Sequence, residues 1–202
     1  LEPSSAASDV YKRQGRCWGF AGLNLMRLQV VDSLELNTFE FSQNYFMFWD
    51  KLEKANYFLE NIIKSRDESY ESRLITHLLK APVQDGGQWD MFVNLINKYG
   101  AVPKDVMPET NHSSKSGAMN YILTHKLREF ASILRKKPAK NSSTLKKDMM
   151  ETIYNLLAMF LGQPPDVINW STRNKDNRNI VISDMTPIDF CKKYADISIK
   201  DK

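Results

Sequence analysis

Cysteine is scarce in this sequence: only Cys17 and Cys191 occur among 202 residues. A small scaffold stapled by disulfides carries more of them at closer spacing, so the usage points to a reducing compartment, hence a cytoplasmic one. Long apolar runs are missing too. No stretch approaches the roughly 18 residues a membrane-spanning helix requires, and the opening residues hold no apolar segment of a secretory signal. Histidine is confined to His77, His112 and His125, and neither cysteine has a histidine or second cysteine beside it. That leaves no metal-ligand spacing, so no metal is expected. Glycine is sparse, and the Gly86-Gly87 pair lacks the lysine and spacing of a phosphate loop, so no cofactor is expected either. Charge of one sign is not in large excess. The 28 basic and 24 acidic side chains leave a net charge of +4, too little to demand an anionic partner.

What is present is a good supply of core-forming residues, 42% hydrophobic and 11% aromatic. The opening stretch, Leu1 to Gln14, is polar, rich in small residues and unlike the rest of the chain. We read residues 1–14 as a non-native or disordered leader and leave it out of the fold. From Cys17 the pattern turns helical. Trp18, Ala21, Leu25 and Leu28 recur at steps of three and four, while Phe20, Leu23 and Met26 fill the opposite side. Such a helix is expected to be buried nearly all round. A second helix is expected from the cap Ser42 toward Ile63, with Tyr45, Phe48, Trp49, Leu52, Leu59, Ile62 and Ile63 on its apolar stripe. Further helices are expected over Glu71–Lys80, Gln88–Tyr99, Lys115–Lys137 and about Thr144–Leu161. Trp89, Phe92, Val93 and Ile96 are expected to face inward, and Gly100 and Gly162 stand where C-caps belong. Val167–Trp170 and Asn179–Ile182 read as two short strands around a polar turn. Thr186-Pro187-Ile188-Asp189 has the form of a capping box opening a last helix.

Gln14-Gly15-Arg16-Cys17-Trp18-Gly19-Phe20 is the stretch that carries chemistry. A thiol attacks as thiolate, and the start of a helix offers partial positive charge that favours the anion. Arg16 is expected to add to that field, Gly15 to let the chain turn sharply into the helix, and Trp18 to anchor the turn by packing. A cysteine on an apolar helix is more often a small core residue. The flanking pattern shifts the balance toward a nucleophile.

That turn resembles the C-G-[SA]-C-[WY] turn of papain-like cysteine proteases. Arg16 before the cysteine, with no cysteine three positions upstream, resembles one branch of them: the bleomycin hydrolases and aminopeptidase C enzymes. Glu40-Phe41-Ser42-Gln43 with Tyr45, and Phe48-Trp49-Asp50-Lys51, resemble a second block of that branch. Asp85-Gly86-Gly87-Gln88-Trp89-Asp90, Lys98-Tyr99-Gly100, Val102-Pro103-Lys104 and Pro108-Glu109 resemble a third. Leu161-Gly162-Gln163-Pro164-Pro165, Arg173-Asn174-Lys175-Asp176 and Thr186-Pro187 with Phe190 continue in order, so the likeness covers about Gly15 to Tyr194.

The resemblance implies an α+β, papain-like fold, of which this chain is the helix-rich N-terminal part with a short β-hairpin near its C-terminus. Residues 15–110 would be the helical, nucleophile-bearing part. Residues 111–202 would be a helical insertion plus the hairpin, ending before the barrel half. It implies a cytosolic thiol aminopeptidase that acts on peptides, with relatives that hydrolyse an amide of bleomycin or homocysteine thiolactone and assemble as homo-hexameric rings. Cys17 would be the catalytic nucleophile, and Gly86 and Gly87 would form a substrate-binding cleft wall; the alternative for that pair is an ordinary loop turn, and the surrounding Asp85 and Gln88-Trp89 favour the cleft. The family's oxyanion glutamine stands six residues before the cysteine, where this chain has Tyr11. The family's histidine and asparagine fall beyond Lys202, and none of the three histidines present matches. These 202 residues alone are therefore expected to lack turnover and to expose apolar surface.

Two other readings stay open from the residues. One is a non-enzymatic helical interaction domain with an inert Cys17. The other is a nucleic-acid-binding module built on Arg135-Lys136-Lys137, Lys140 and Lys146-Lys147. No aromatic interleaves with that cluster in sequence, so a solvated linker is the better account of it.

Overall fold

The computed structural model describes residues 15–136 and 138–195. The leader and the last residues of the chain, including Tyr11 and Gln14, lie outside them. Among the described residues, eight α-helices and one β-hairpin occur in chain order: α1 Cys17–Ser33, α2 Gln43–Lys64, α3 Arg73–Lys80, α4 Trp89–Tyr99, α5 Asn111–Ser114, α6 Gly117–Lys136, α7 Ser142–Leu161, β1 Ile168–Arg173, β2 Asn179–Met185 and α8 Pro187–Tyr194. A short 3-10 turn over Ala139–Asn141 leads into α7.

Caps set the helix starts. The Ser42 hydroxyl accepts from the Tyr45 N–H at 3.0 Å, and the Ser72 hydroxyl does the same for Ile75 at 3.3 Å. Thr186 accepts from the Asp189 N–H at 3.1 Å with Pro187 at the first helical position, the expected cap. The box is not reciprocal in the usual way, because Thr186 also donates to the Asp189 carboxylate at 2.7 Å. Each such cap is worth about 1 kcal/mol. A helix that the pattern did not suggest is α5, closed by a true capping box between Thr110 and Ser113. His112, outside every helix expected from the sequence, therefore sits on a helical turn, with its ring edge-on to Phe160 at 4.8 Å.

The centre of the molecule is α2, which packs against α1, α3, α4, α6 and α7. Phe48, Phe58, Leu59 and Ile62 on it are fully buried, each contributing about 2 kcal/mol by leaving water. One continuous core runs from Leu23 to Ala195. The hairpin is antiparallel, pairing Trp170 with Ile182 and Arg173 with Asn179, with a bulge between Ile168 and Trp170. Ile168, Trp170 and Ile182 turn inward, and Trp170 joins Phe39, Phe41 and Phe190 in an aromatic cluster. Both strands run three residues further than the expected spans, through the largely polar stretches Ser171–Arg173 and Ser183–Met185. In a two-stranded ribbon, hydrogen bonding carries positions that hydrophobicity does not mark.

Two expectations of burial fail. The first helix is not buried all round: Leu25 is 59% exposed and Leu28 54%, while Leu23, Met26 and Val30 are buried. The buried side meets α2, α4 and α8, and no described residue covers the other. Trp89, expected to face inward, is 40% exposed and lies flat on Phe92 at 5.5 Å. It begins α4, ahead of the turn that reaches the core.

Candidate active site

The thiol of Cys17 is exposed at the first turn of α1. The chain enters that turn through Gly15, in the left-handed region at φ +67°. A side chain there would be strained, and its Cβ would fall 2.3 Å from that of Asp85. The helix then settles on its neighbours through Gly19 and Gly22. Side chains at those positions would overlap the rings of Phe46 and Phe92.

Gly15 also links the turn to the glycine pair. The Gly86 N–H donates to the Gly15 carbonyl at 3.4 Å, so the segment Asp85–Gly87 runs directly beside the residues that lead into Cys17. Gly86 is left-handed, at φ +90°. Gly87 lies against the indole face of Trp18, where a Cβ would come within 2.7 Å of the ring. Trp18 in turn packs edge-on to Phe46 at 5.0 Å. The structure thus brings together five of the residues singled out in the sequence: Cys17, Gly15, Trp18, Gly86 and Gly87.

Arg16 does not act as expected. It is only 4% exposed, and it forms a fork with Glu109, Nη1 to Oε1 and Nη2 to Oε2 both at 3.1 Å. Its charge is offset by that carboxylate. Its work is to pin the N-cap of α1 to the loop after α4. The same loop is held to α2 by Ser42, which donates to the Met107 carbonyl at 2.5 Å, and by Asn44, which donates to the Pro108 and Leu161 carbonyls at 2.8 and 2.7 Å.

Sequence reasoning gave no role to Lys51 and Lys54, two buried lysines one turn apart on α2. Lys51 Nζ donates to the Val83 carbonyl at 3.0 Å and to Asp85 Oδ1 at 2.8 Å. Lys54 Nζ donates to Asp50 Oδ2 at 2.9 Å and to the Gly86 carbonyl at 2.8 Å, and it stands 5.4 Å from the Trp18 ring centroid. Burial pushes the Asp50 carboxyl up and the Lys54 ammonium down, and each partner offsets part of the other's shift. The detectable signal was lysine within an apolar helical stripe, where solvated residues are out of place.

The other candidates lie elsewhere. His77 is on α3, and His125 is on α6 with its ring 4.2 Å from that of Tyr121. Cys191 is buried on α8, and loss of solvation raises its thiol to about 12, which keeps it neutral. The basic cluster is partly consumed within the chain. Arg135 donates to the Ser65 carbonyl at 2.9 Å and to that of Glu68, and Lys146 pairs with Glu60. An aromatic distant in sequence does attend it: Tyr70 lies 4.3 Å from the Arg135 guanidinium. A surface cavity of about 550 Å³ between α2 and the start of α7 is lined by Asn56, Glu60, Ser142, Lys146 and Met150 among others. Among the described residues, no three His, Cys, Asp or Glu side chains converge on a metal position, and no helix is long and apolar enough to cross a membrane.

Comparison with known proteins agrees with this geometry. The Peptidase C1-like family matches residues 6–202. Aminopeptidase C of Listeria innocua is 52% identical over 94% of this chain, and the chain spans 44% of that relative's length. Cysteine proteinase 1, mitochondrial, of Saccharomyces cerevisiae is 44% identical over 91% of the chain and 40% of its own length. Bleomycin hydrolase of Oryctolagus cuniculus is 41% identical, covering 91% of this chain and 69% of the rabbit sequence. The crystal structure of PepW from Lactobacillus rhamnosis superposes with a TM-score of 0.86 at 45% identity, over 90% of this chain and 42% of PepW. The chain belongs to the Peptidase C1-like family and has the helix-rich part of a papain-like cysteine peptidase fold.

Proposed function

We propose that this chain is the nucleophile-bearing part of a cytoplasmic cysteine aminopeptidase of the bleomycin hydrolase and aminopeptidase C type. The observation that carries the reading is the exposed Cys17 thiol at the head of α1, with Gly86 and Gly87 laid beside it through the Gly86–Gly15 hydrogen bond. Cys17 attacks the carbonyl carbon of the first peptide bond of the substrate. The helix start directs backbone N–H groups and the positive end of its dipole at the developing charge. An imidazole protonates the leaving amine and then draws a proton from the water that hydrolyses the acyl-enzyme. We place that histidine, with its asparagine, in the part of the protein outside this chain, since the chain spans 44% of the length of the Listeria aminopeptidase C. The glycine pair offers backbone without side chains to an extended substrate. Assembly as a homo-hexamer and a peptide substrate belong to the same reading, and no cofactor takes part.

The full-length protein, at the length of its relatives, tests this with an amino-acid-derived chloromethyl ketone carrying a free amine. Rapid, substrate-protectable alkylation of Cys17, much slower with the N-acylated reagent, is the expected result. Equal rates for the free and blocked reagents would refute the aminopeptidase reading. Labelling that peptide substrate does not slow would refute the site.

A further inference from the structure

The glycine pair raises a mechanical problem. Gly86 and Gly87 have little conformational preference of their own, yet a cleft wall must hold its hydrogen-bonding groups still. The answer lies beneath the loop. Lys54 Nζ is fixed by Asp50 at 2.9 Å, reaches the Gly86 carbonyl at 2.8 Å and faces the Trp18 ring at 5.4 Å, and that same ring is what Gly87 rests on. Lys51, from the same helix, secures Val83 and Asp85 just before the pair. One ammonium therefore touches both parts of the site, the loop and the residue immediately after Cys17. Burying a charge is costly, and here one of its donors is spent on the backbone of the cleft and another on Asp50.

We infer that Lys54 is a positioning residue for substrate binding: it draws the Gly86 carbonyl down toward α2 and so sets the orientation in which Gly87 meets the substrate backbone. The inference rests on the reading of Cys17 and the glycine pair as an active site. Lys54 touches no reacting atom. Its removal should weaken substrate binding while leaving the thiol as reactive as before toward a small reagent that needs no cleft.

The test uses the full-length protein carrying Asp50→Asn and Lys54→Met together, so that no unmatched charge is buried. KM and kcat are measured on an aminoacyl-arylamide, and the second-order rate of Cys17 alkylation by iodoacetamide is measured in parallel. We expect KM to rise about tenfold, the scale of one lost hydrogen bond to substrate, with kcat and the alkylation rate within about twofold of the parent. A KM within twofold of the parent overturns the inference. So does an alkylation rate that falls in proportion with kcat/KM, which marks Lys54 as merely structural. Should the double variant not fold, Lys54→Gln is judged by the same two rates. A parent enzyme whose turnover survives Cys17→Ala would instead sink the underlying reading, so the two failures are distinguishable.

Discussion

Replacing Glu109 with alanine removes the carboxylate that two N–H groups of the buried Arg16 reach, each at 3.1 Å. Breaking a fully buried ion pair on one side costs roughly 3–5 kcal/mol. Glu109 is about a quarter exposed, so water relieves part of that penalty and the expected loss is about 2–3 kcal/mol. Glu109 also accepts from the Ser113 hydroxyl at 2.5 Å, so the change loosens α5 as well as the N-cap of α1. Urea unfolding of Glu109→Ala against the parent, in the full-length protein, gives the free-energy difference from the shift in midpoint. Because Glu109 pins Arg16, the residue before the nucleophile, turnover should fall at temperatures where the variant is still folded. A destabilisation below about 0.5 kcal/mol, the size of an ordinary surface change, with unaltered turnover would refute the claim that this fork holds the Cys17 turn.

Three further outcomes are expected from the same geometry. Gly87→Ala should sharply reduce peptide turnover, because its Cβ would press on Trp18 from 2.7 Å, at an overpacking cost of about 1–3 kcal/mol; steady-state kinetics beside a thermal melt would show it, and parental turnover would contradict the packing. Alkylation of the native protein with iodoacetamide near neutral pH, with peptide mapping afterwards, should modify Cys17 and spare Cys191, whose thiol burial raises to about 12. Burial alone would raise the Glu53 carboxyl, but hydrogen bonds from Lys98, Tyr99 and Asn56 outweigh it and hold it below the usual carboxylate range. The folded value being the lower one, its stabilisation is present above the unfolded carboxylate range and is lost as pH falls through the folded value. Glu53→Gln should therefore be less stable than the parent at pH 7, with the gap closing on acidification below about pH 4; urea midpoints across that range check it.

How much of this was legible in sequence varies with the physical source of the signal. Local signals read well: Ser42 and Thr186 cap the helices they were expected to cap, and the thiol stands at the first turn of α1. Periodicity showed that Leu25 and Leu28 share a face, but it cannot say whether that face has a partner within the described residues, and it has none. Arg16 was misjudged because its field depends on Glu109, 93 positions away, and such a pairing leaves no mark in the local pattern. The four-residue helix α5 escaped notice for a similar reason: it is too short for periodicity, and a bond from Thr110 to the Phe160 carbonyl at 3.0 Å helps to hold it. Lys51 and Lys54 were visible only as charges inside an apolar stripe, and their targets emerge only when α2 meets the 83–86 loop.

The central claim is that the sulfur of Cys17 forms the covalent bond to substrate, and Cys17→Ala in the full-length protein tests it most directly. Turnover of an aminoacyl-arylamide should fall by at least about a thousandfold, with the thermal melt unchanged because the side chain is exposed at the surface. Turnover within tenfold of the parent would contradict the account.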